Sequence, residues 1–224
     1  MHLKIDKKFR FIAYIIIIFF LTTTTNYNFY NKKIFNIEQI DINGFSEKKN
    51  LLIKNEIQNI IGKNIILVKK KDFYKLMNRN DVSDLIIKKI YPNKLIINFI
   101  PAKPICVILF ENYKIVLGDN GKKLELVTID QKLPNVYGSK NVGNIFKVVN
   151  LLILSNIDYY KIDKIIFFKS GRFDISLDNE ILIKYPIKYS KKIINYSSEL
   201  LNDKKFINSK IIDLRINNKI IKYE

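Results

Sequence analysis

The sequence predicts an α+β protein: an N-terminal transmembrane helix, a small unit built strand–helix–helix–strand–strand, and a mixed β-sheet domain with two helices. Three observations predict it. Phe11 to Leu21, FIAYIIIIFFL, is a run without charge that directly follows Lys4, Lys7, Lys8 and Arg10. Residues 34–102 pass from period-two to helical spacing and back again. Residues 103–224 repeat short alternating segments separated by turn dipeptides, with two stretches of helical spacing between them. At 224 residues there is room for one or two domains beside the first segment.

The apolar run is short against the roughly 20 residues of a full span. Thr22 to Thr25 can extend it, because a threonine hydroxyl in a helix bonds the carbonyl one turn back. Tyr14, Tyr27 and Tyr30 suit the interface level, and Arg10 can snorkel. Basic residues before the run keep residues 1–10 as a cytoplasmic tip. Residues 11–30 then form the anchor and its juxtamembrane segment. The expectation is a single-pass, type II protein of the inner membrane with its bulk on the periplasmic side. A cleaved signal peptide is the competing reading, but TTTTNYNFY follows the run in place of small residues of A-x-A type.

Ile37 to Asn43, IEQIDIN, alternates as a half-buried strand and ends at Gly44. Ser46 is placed to cap a helix with Leu51, Leu52, Ile57, Ile60 and Ile61 as its apolar stripe and Gly62 as its stop. Asp72 is placed to cap a second short helix with Phe73, Leu76 and Met77. Ser83–Tyr91 and Lys94–Pro101 read as strands joined through Pro92-Asn93. Pro101 and Pro104 bracket a boundary. Beyond it, strands are expected at Ile105–Glu111, Lys114–Leu117 and Lys122–Thr128, with Asp119-Asn120-Gly121 as a tight turn. Leu133–Gly138, LPNVYG, reads as a turn. Gly143–Ser155 reads as a helix with Phe146, Val149, Leu152 and Ile153 inward. Strands at Asp163–Phe168, Arg172–Leu177 and Glu180–Tyr185 precede a helix at Tyr189–Leu201. Lys210–Ile216 and Lys219–Tyr223 close the chain as a hairpin around Asn217-Asn218.

Composition narrows the function. The net charge is +18, yet only four of 39 basic residues are arginine (Arg10, Arg79, Arg172, Arg215), and no basic block with interleaved aromatics stands out. Codon drift toward Lys, Ile and Asn accounts for the charge, so nucleic-acid binding is not expected. His2 and Cys106 are the sole residues of their types, which excludes an internal disulfide, a thiolate metal cluster and His-based catalysis beyond residue 10. Cys106 sits in an apolar strand as a small core residue. No cofactor, metal or small-molecule substrate is implied, and the chain is not read as an enzyme. A Ser–Lys hydrolase remains an alternative, since lysines are everywhere.

The pieces IEQIDINGF, IYPNKLIINF, LGDNGKKLE, LPNVYG, GRFDISLDNEILIKYP and IIDLRINNKII occur in an order and spacing similar to the FtsQ/DivIB family of cell-division proteins. Asp213-Leu214-Arg215 is the most telling of them. The resemblance implies a POTRA domain over 34–102 and an FtsQ-type C-terminal α+β domain over 103–224. It further implies a non-enzymatic divisome scaffold at the septum that bridges upstream division proteins to the FtsB–FtsL pair and to septal peptidoglycan synthesis, with FtsK, FtsW and FtsI among its other partners. A POTRA-containing envelope-assembly protein is the alternative. The chain departs from the family's pattern at Pro101-Ala102-Lys103-Pro104, which lacks an acid. It departs again at Asn179-Glu180, where a glycine is usual, and at Ile216, where an aromatic is common.

Family resemblance implies that FtsB adds a strand to the end of the C-terminal sheet. Independently, a last strand over Lys219, Ile220, Ile221, Lys222 and Tyr223 leaves a free edge, a liability unless Lys219 and Lys222 guard it or a partner uses it. In a lysine-rich chain, Arg172 and Arg215 suggest planar pairing with carboxylates of such a partner. Tyr185 and Tyr223 are candidate aromatic anchors of the interface. With Ile216, these residues make up the expected partner-binding surface.

Overall fold

In the computed structural model of the chain, residues 7–23, 33–125, 132–206, 208–216 and 219–223 are described. Thr24, Thr25, Tyr27, Tyr30, the 126–128 end of the expected third strand and the Asn217-Asn218 turn lie outside them. The first helix, α1 (Lys7–Thr23), corrects the expected membrane anchor and the inner-membrane placement that rested on it. Its 17 residues span about 26 Å at 1.5 Å each, against a hydrocarbon core of about 30 Å, and its first turn carries Lys8 and Arg10. Among the described residues no helix is long and apolar enough to cross a membrane.

Contacts divide the chain into two compact units, Met1–Asp72 with Ile87–Asn98, and Phe73–Ile86 with Phe99–Glu224. In the first, β1 (Gln39–Asn43) pairs in parallel with β3 (Lys94–Pro101), from Gln39 opposite Lys94 to Asn43 opposite Asn98. β2 (Val82–Ile90), of which 87–90 belong to this unit, completes a sheet of order β1-β3-β2. β2 and β3 reach each other through the cis Tyr91-Pro92 bond. α2 (Glu47–Glu56) begins after Ser46, whose hydroxyl makes no capping bond. Its buried stripe differs from the expected one. Ile53, Ile57 and Ile60, at i, i+4 and i+7, face the core, whereas Leu51, Leu52 and Ile61 are exposed. Gly62 ends the segment at φ +83°, its N–H donating to the Ile37 carbonyl at 2.8 Å. Asp72 does not cap a helix as expected. Its carboxylate turns back to the Lys69 N–H at 2.8 Å.

In the second unit, Phe73 takes the N-cap position of the four-residue α3 (Tyr74–Met77). The rest is a nine-stranded sheet with two helices. Its strands are β4 (Pro104–Leu109), β5 (Lys114–Gly118), β6 (Lys123–Leu124), β7 (Asn135–Tyr137), β8 (Ile162–Phe167), β9 (Phe173–Leu177), β10 (Leu182–Lys184), β11 (Ile211–Asp213) and β12 (Ile221–Tyr223). They stand in the order β12-β11-β10-β9-β8-β7-β4-β5-β6. α4 (Val142–Ile153) is capped by Asn141, whose side-chain oxygen accepts from the Asn144 N–H at 3.0 Å, and α5 (Lys191–Asn202) follows Ser190. One sheet face carries Ile108, Val136, Ile165, Ile175, Ile183 and Ile212, all buried with Ile145, Val148, Val149 and Leu152 of α4 and Ile194 and Leu200 of α5. Ile153, expected inward, is exposed, and Phe146 is half-buried.

The largest departure is β7, which reads as a turn in the sequence. Three residues are too few to show alternation, yet β7 pairs in parallel with both β4 and β8 near the middle of the sheet, with Val136 fully buried. Gly138 makes that possible. At φ +81°, a Cβ there would stand 2.1 Å from the Phe167 carbonyl oxygen. Parallel pairs β7/β8 and β10/β11 are joined by α4 and α5, so the sheet is assembled from two strand–helix–strand crossovers and several hairpins.

Two substitutions test this backbone. Gly138→Ala is expected to destabilise the chain by roughly 3 kcal/mol, read from chemical denaturation, because the methyl group meets main chain rather than a movable side chain. Glu180, at φ +66° in the β9–β10 turn, holds the left-handed conformation that glycine adopts freely. Glu180→Gly is expected to stabilise by about 1 kcal/mol and to raise the thermal midpoint; a lower midpoint would contradict strain at this turn.

Candidate partner-binding edge

β12 is the terminal strand of the sheet, paired on one side with β11 in antiparallel register, Ile211 opposite Tyr223 and Asp213 opposite Ile221. Among the described residues no strand pairs with its other side, as expected of a last strand in the sheet. Alternation sorts its residues. Lys222 shares the face of Ile212, the helix side, and its Nζ donates to the Lys205 carbonyl at 3.3 Å. Ile221 and Tyr223 share the opposite face, where Ile221 is half-buried and Tyr223 half-exposed. Ile220 packs against the core cluster. Lys219 is exposed, as is Ile216.

Tyr185 is corrected from the expected interface to the core. It is fully buried at the end of β10, with its ring stacked on Phe173 at 4.8 Å and its hydroxyl 2.6 Å from Ser197 Oγ of α5. Tyrosine supplies both the apolar body and the polar tip that this position needs, which strand periodicity alone does not distinguish from an exposed ring.

On the outer face, the register aligns Ile166, Asp174, Lys184, Asp213 and Ile221 in one row across β8, β9, β10, β11 and β12. Charges alternate along it. Arg215, just beyond β11, closes back on Asp213. Its Nε donates to both carboxylate oxygens, at 2.8 and 2.9 Å, and Nη2 donates to Oδ2. Those hydrogen bonds hold the Asp213 carboxyl below the usual carboxylate range and lift Arg215 further. The planar carboxylate pairing expected of Arg215 is thus made within the chain. Arg172 uses its plane differently. It stacks over the Phe168 ring at 4.1 Å, and its Nε is buried without a hydrogen-bond partner.

Asp174, two residues along β9, was not picked out by sequence reading, although it sits inside GRFD beside Arg172. It is 3% exposed, and its Oδ1 is also buried without a partner. Burial pushes its carboxyl up, opposed by the nearby cations Arg172, Lys184 and Arg215. Lys184 was missed, and Asp213, noted only as part of a motif, was left out of the candidate site for the same reason: polar residues on a strand read as solvent-facing until the register shows which ones touch. Elsewhere, burial pushes the Cys106 thiol up to about 12, which suits a core residue. Among the described residues no group of three or more His, Cys, Asp or Glu side chains could hold a metal ion.

The two acids should act oppositely with pH. Asp213 has a lowered folded-state pKa, so its stabilisation is present above the unfolded value of about 3.9 and is lost as pH falls through the folded value. Asp174 has a raised one, so its ionisation penalises folding as pH rises past about 4. In thermal melts, Asp213→Asn should lower the midpoint at pH 7 and Asp174→Asn should raise it, with both differences shrinking below about pH 4.

No family model and no curated protein matches the chain. Among solved structures, the chain is similar to the major extracytoplasmic domain of the trans isomer of the bacterial cell-division protein DivIB from Geobacillus stearothermophilus. The identity is 13% and the TM-score 0.36, over 45% of this chain and 91% of that domain.

Proposed function

We propose that the chain is a non-enzymatic scaffold of the bacterial division machinery, of FtsQ/DivIB type, whose C-terminal sheet receives a strand from the FtsB–FtsL pair. The observation that carries the proposal is the edge itself. A nine-stranded sheet ends in the short strand β12, and half-exposed Tyr223 and Ile216 stand beside an arginine fixed in place by Asp213. Such an edge offers backbone hydrogen bonds for affinity and flanking side chains for selectivity. The order of motifs from IEQIDINGF to IIDLRINNKII supports the same reading, with residues 34–102 as a POTRA domain that meets upstream division proteins such as FtsK and with FtsW and FtsI as later partners. β12, Ile221–Tyr223, supplies the backbone that the incoming strand pairs with, and Lys219 and Ile220 lead into it; Arg172 and Arg215 border it.

The test is capture of the source organism's FtsB–FtsL pair by the full chain. The double variant Ile216→Ala, Tyr223→Ala is expected to weaken capture at least tenfold, about 1.4 kcal/mol, with unchanged circular dichroism. Unchanged capture would overturn the proposal. In cells depleted of the chain, the wild type should restore division and the double variant should leave filaments.

A further inference from the structure

Arg172 immediately precedes β9 and Asp174 is the strand's second residue, near enough for the Arg172 charge to act on its carboxyl, at the same end of the sheet as Arg215 and Ile221. Arg172 is held by its stack on Phe168, so the direction of its Nε–H is set. Asp174 is held by burial between Ile166 and Lys184 in the row. Each has a buried polar atom with no hydrogen-bond partner: a donor on Arg172, an acceptor on Asp174. Buried groups of this kind are rare in folded proteins, and each one costs free energy until it is met. Two of opposite hydrogen-bonding sense, on residues two positions apart, are complementary to a group that accepts from one and donates to the other.

We propose that the Arg172–Asp174 strip recognises a neutral amide, an Asn or Gln carboxamide or a peptide group, on the protein partner that pairs with β12. This rests on the proposed function and adds to it the chemistry of a second contact. β9 lies three strands in from the edge, and with roughly 4.8 Å between strands a segment paired on β12 alone runs nearly 20 Å from it. The partner must therefore also cross the outer face. A carboxylate there would satisfy Arg172 but stand beside the Asp174 carboxylate; an ammonium would do the reverse with Arg172. A carboxamide satisfies both, its oxygen accepting from Nε and its NH2 donating to Oδ1. Lys184, the long cation opposite Asp174 in the row, moves aside more easily than backbone does.

The sign of one substitution decides the matter. With the full chain and the FtsB–FtsL pair as probe, at pH 7 and fixed ionic strength, Asp174→Asn replaces a charge-assisted hydrogen bond by a weaker neutral one. The expected result is about tenfold weaker binding together with a raised thermal midpoint, so that the loss is not one of folding. Arg172→Lys, which keeps the charge and removes Nε, should weaken binding similarly. Tighter binding by Asp174→Asn would mean that a carboxylate meets Arg172 and would overturn the inference. So would unchanged binding by both variants when the Ile216→Ala, Tyr223→Ala variant has lost capture, a pattern that leaves the proposed function standing. No capture by the wild-type chain would overturn both.

Discussion

The free edge depends on a crossover that is fixed by one buried hydrogen bond. β10 and β11 are parallel neighbours, so the chain must leave the sheet between them and return, and α5 is the segment that does so. Tyr185 at the end of β10 donates to Ser197 Oγ at 2.6 Å, and Ser197 in turn donates to the Ile194 carbonyl at 2.6 Å. The Tyr185 ring stacks on Phe173, which meets Tyr189 edge-on at 4.9 Å. This aromatic and hydroxyl cluster seats the start of α5 against β9 and β10. With α5 seated, β11 falls beside β10 and β12 becomes the terminal strand. Where the sheet ends is therefore decided by packing on the opposite face.

The described arginines beyond α1 show what arginine does here that lysine cannot. Arg79 meets Asp81, two residues ahead, through Nε at 3.2 Å, and Arg215 meets Asp213, two residues behind, with two donors. Arg172 lays its plane on Phe168. A lysine has neither a fork for a carboxylate nor a flat face for a ring. In a chain whose basic residues are nearly all lysine, arginine thus marks positions where planarity matters. That contrast was visible in the sequence. What was not visible is that all three partners lie inside the chain, two of them two residues along and the third, Phe168, across the same turn.

Most strands of the second unit and its two long helices were legible, because alternation, helical spacing and turn dipeptides mark segments whose two faces differ. The hairpin closing at β12 and the helices at α4 and α5 are of this kind. The failures share a cause. β7 is three residues long and paired on both sides, so neither alternation nor a polar face marks it. Leu51 and Leu52 were taken for the core because they are apolar, but only Ile53, Ile57 and Ile60 stand on one side of the helix. The first helix was read from its apolar run, and the geometry shows it too short to span. At the candidate site, the edge strand was legible and the charged row was not. A row across five strands joins residues from 166 to 221, and only register, set by distant segments, brings them together.

That register also ties the outer face to the core. Side chains alternate strictly along each strand, so a slip of one residue would exchange the two faces. Ile165, Ile175, Ile183 and Ile212 form the buried row, and Ile166, Asp174, Lys184 and Asp213 lie one residue along on the other side. The apolar row cannot move without exposing isoleucine to water, so it pins the charged row at no further cost in specificity. Asp174 is then held where burial opposes its ionisation, a position that a stability-optimised sheet would give to a neutral residue. A strained group kept in place by an over-determined register is what a recognition surface requires: its hydrogen-bonding atoms are fixed before the partner arrives, and little is lost in ordering them.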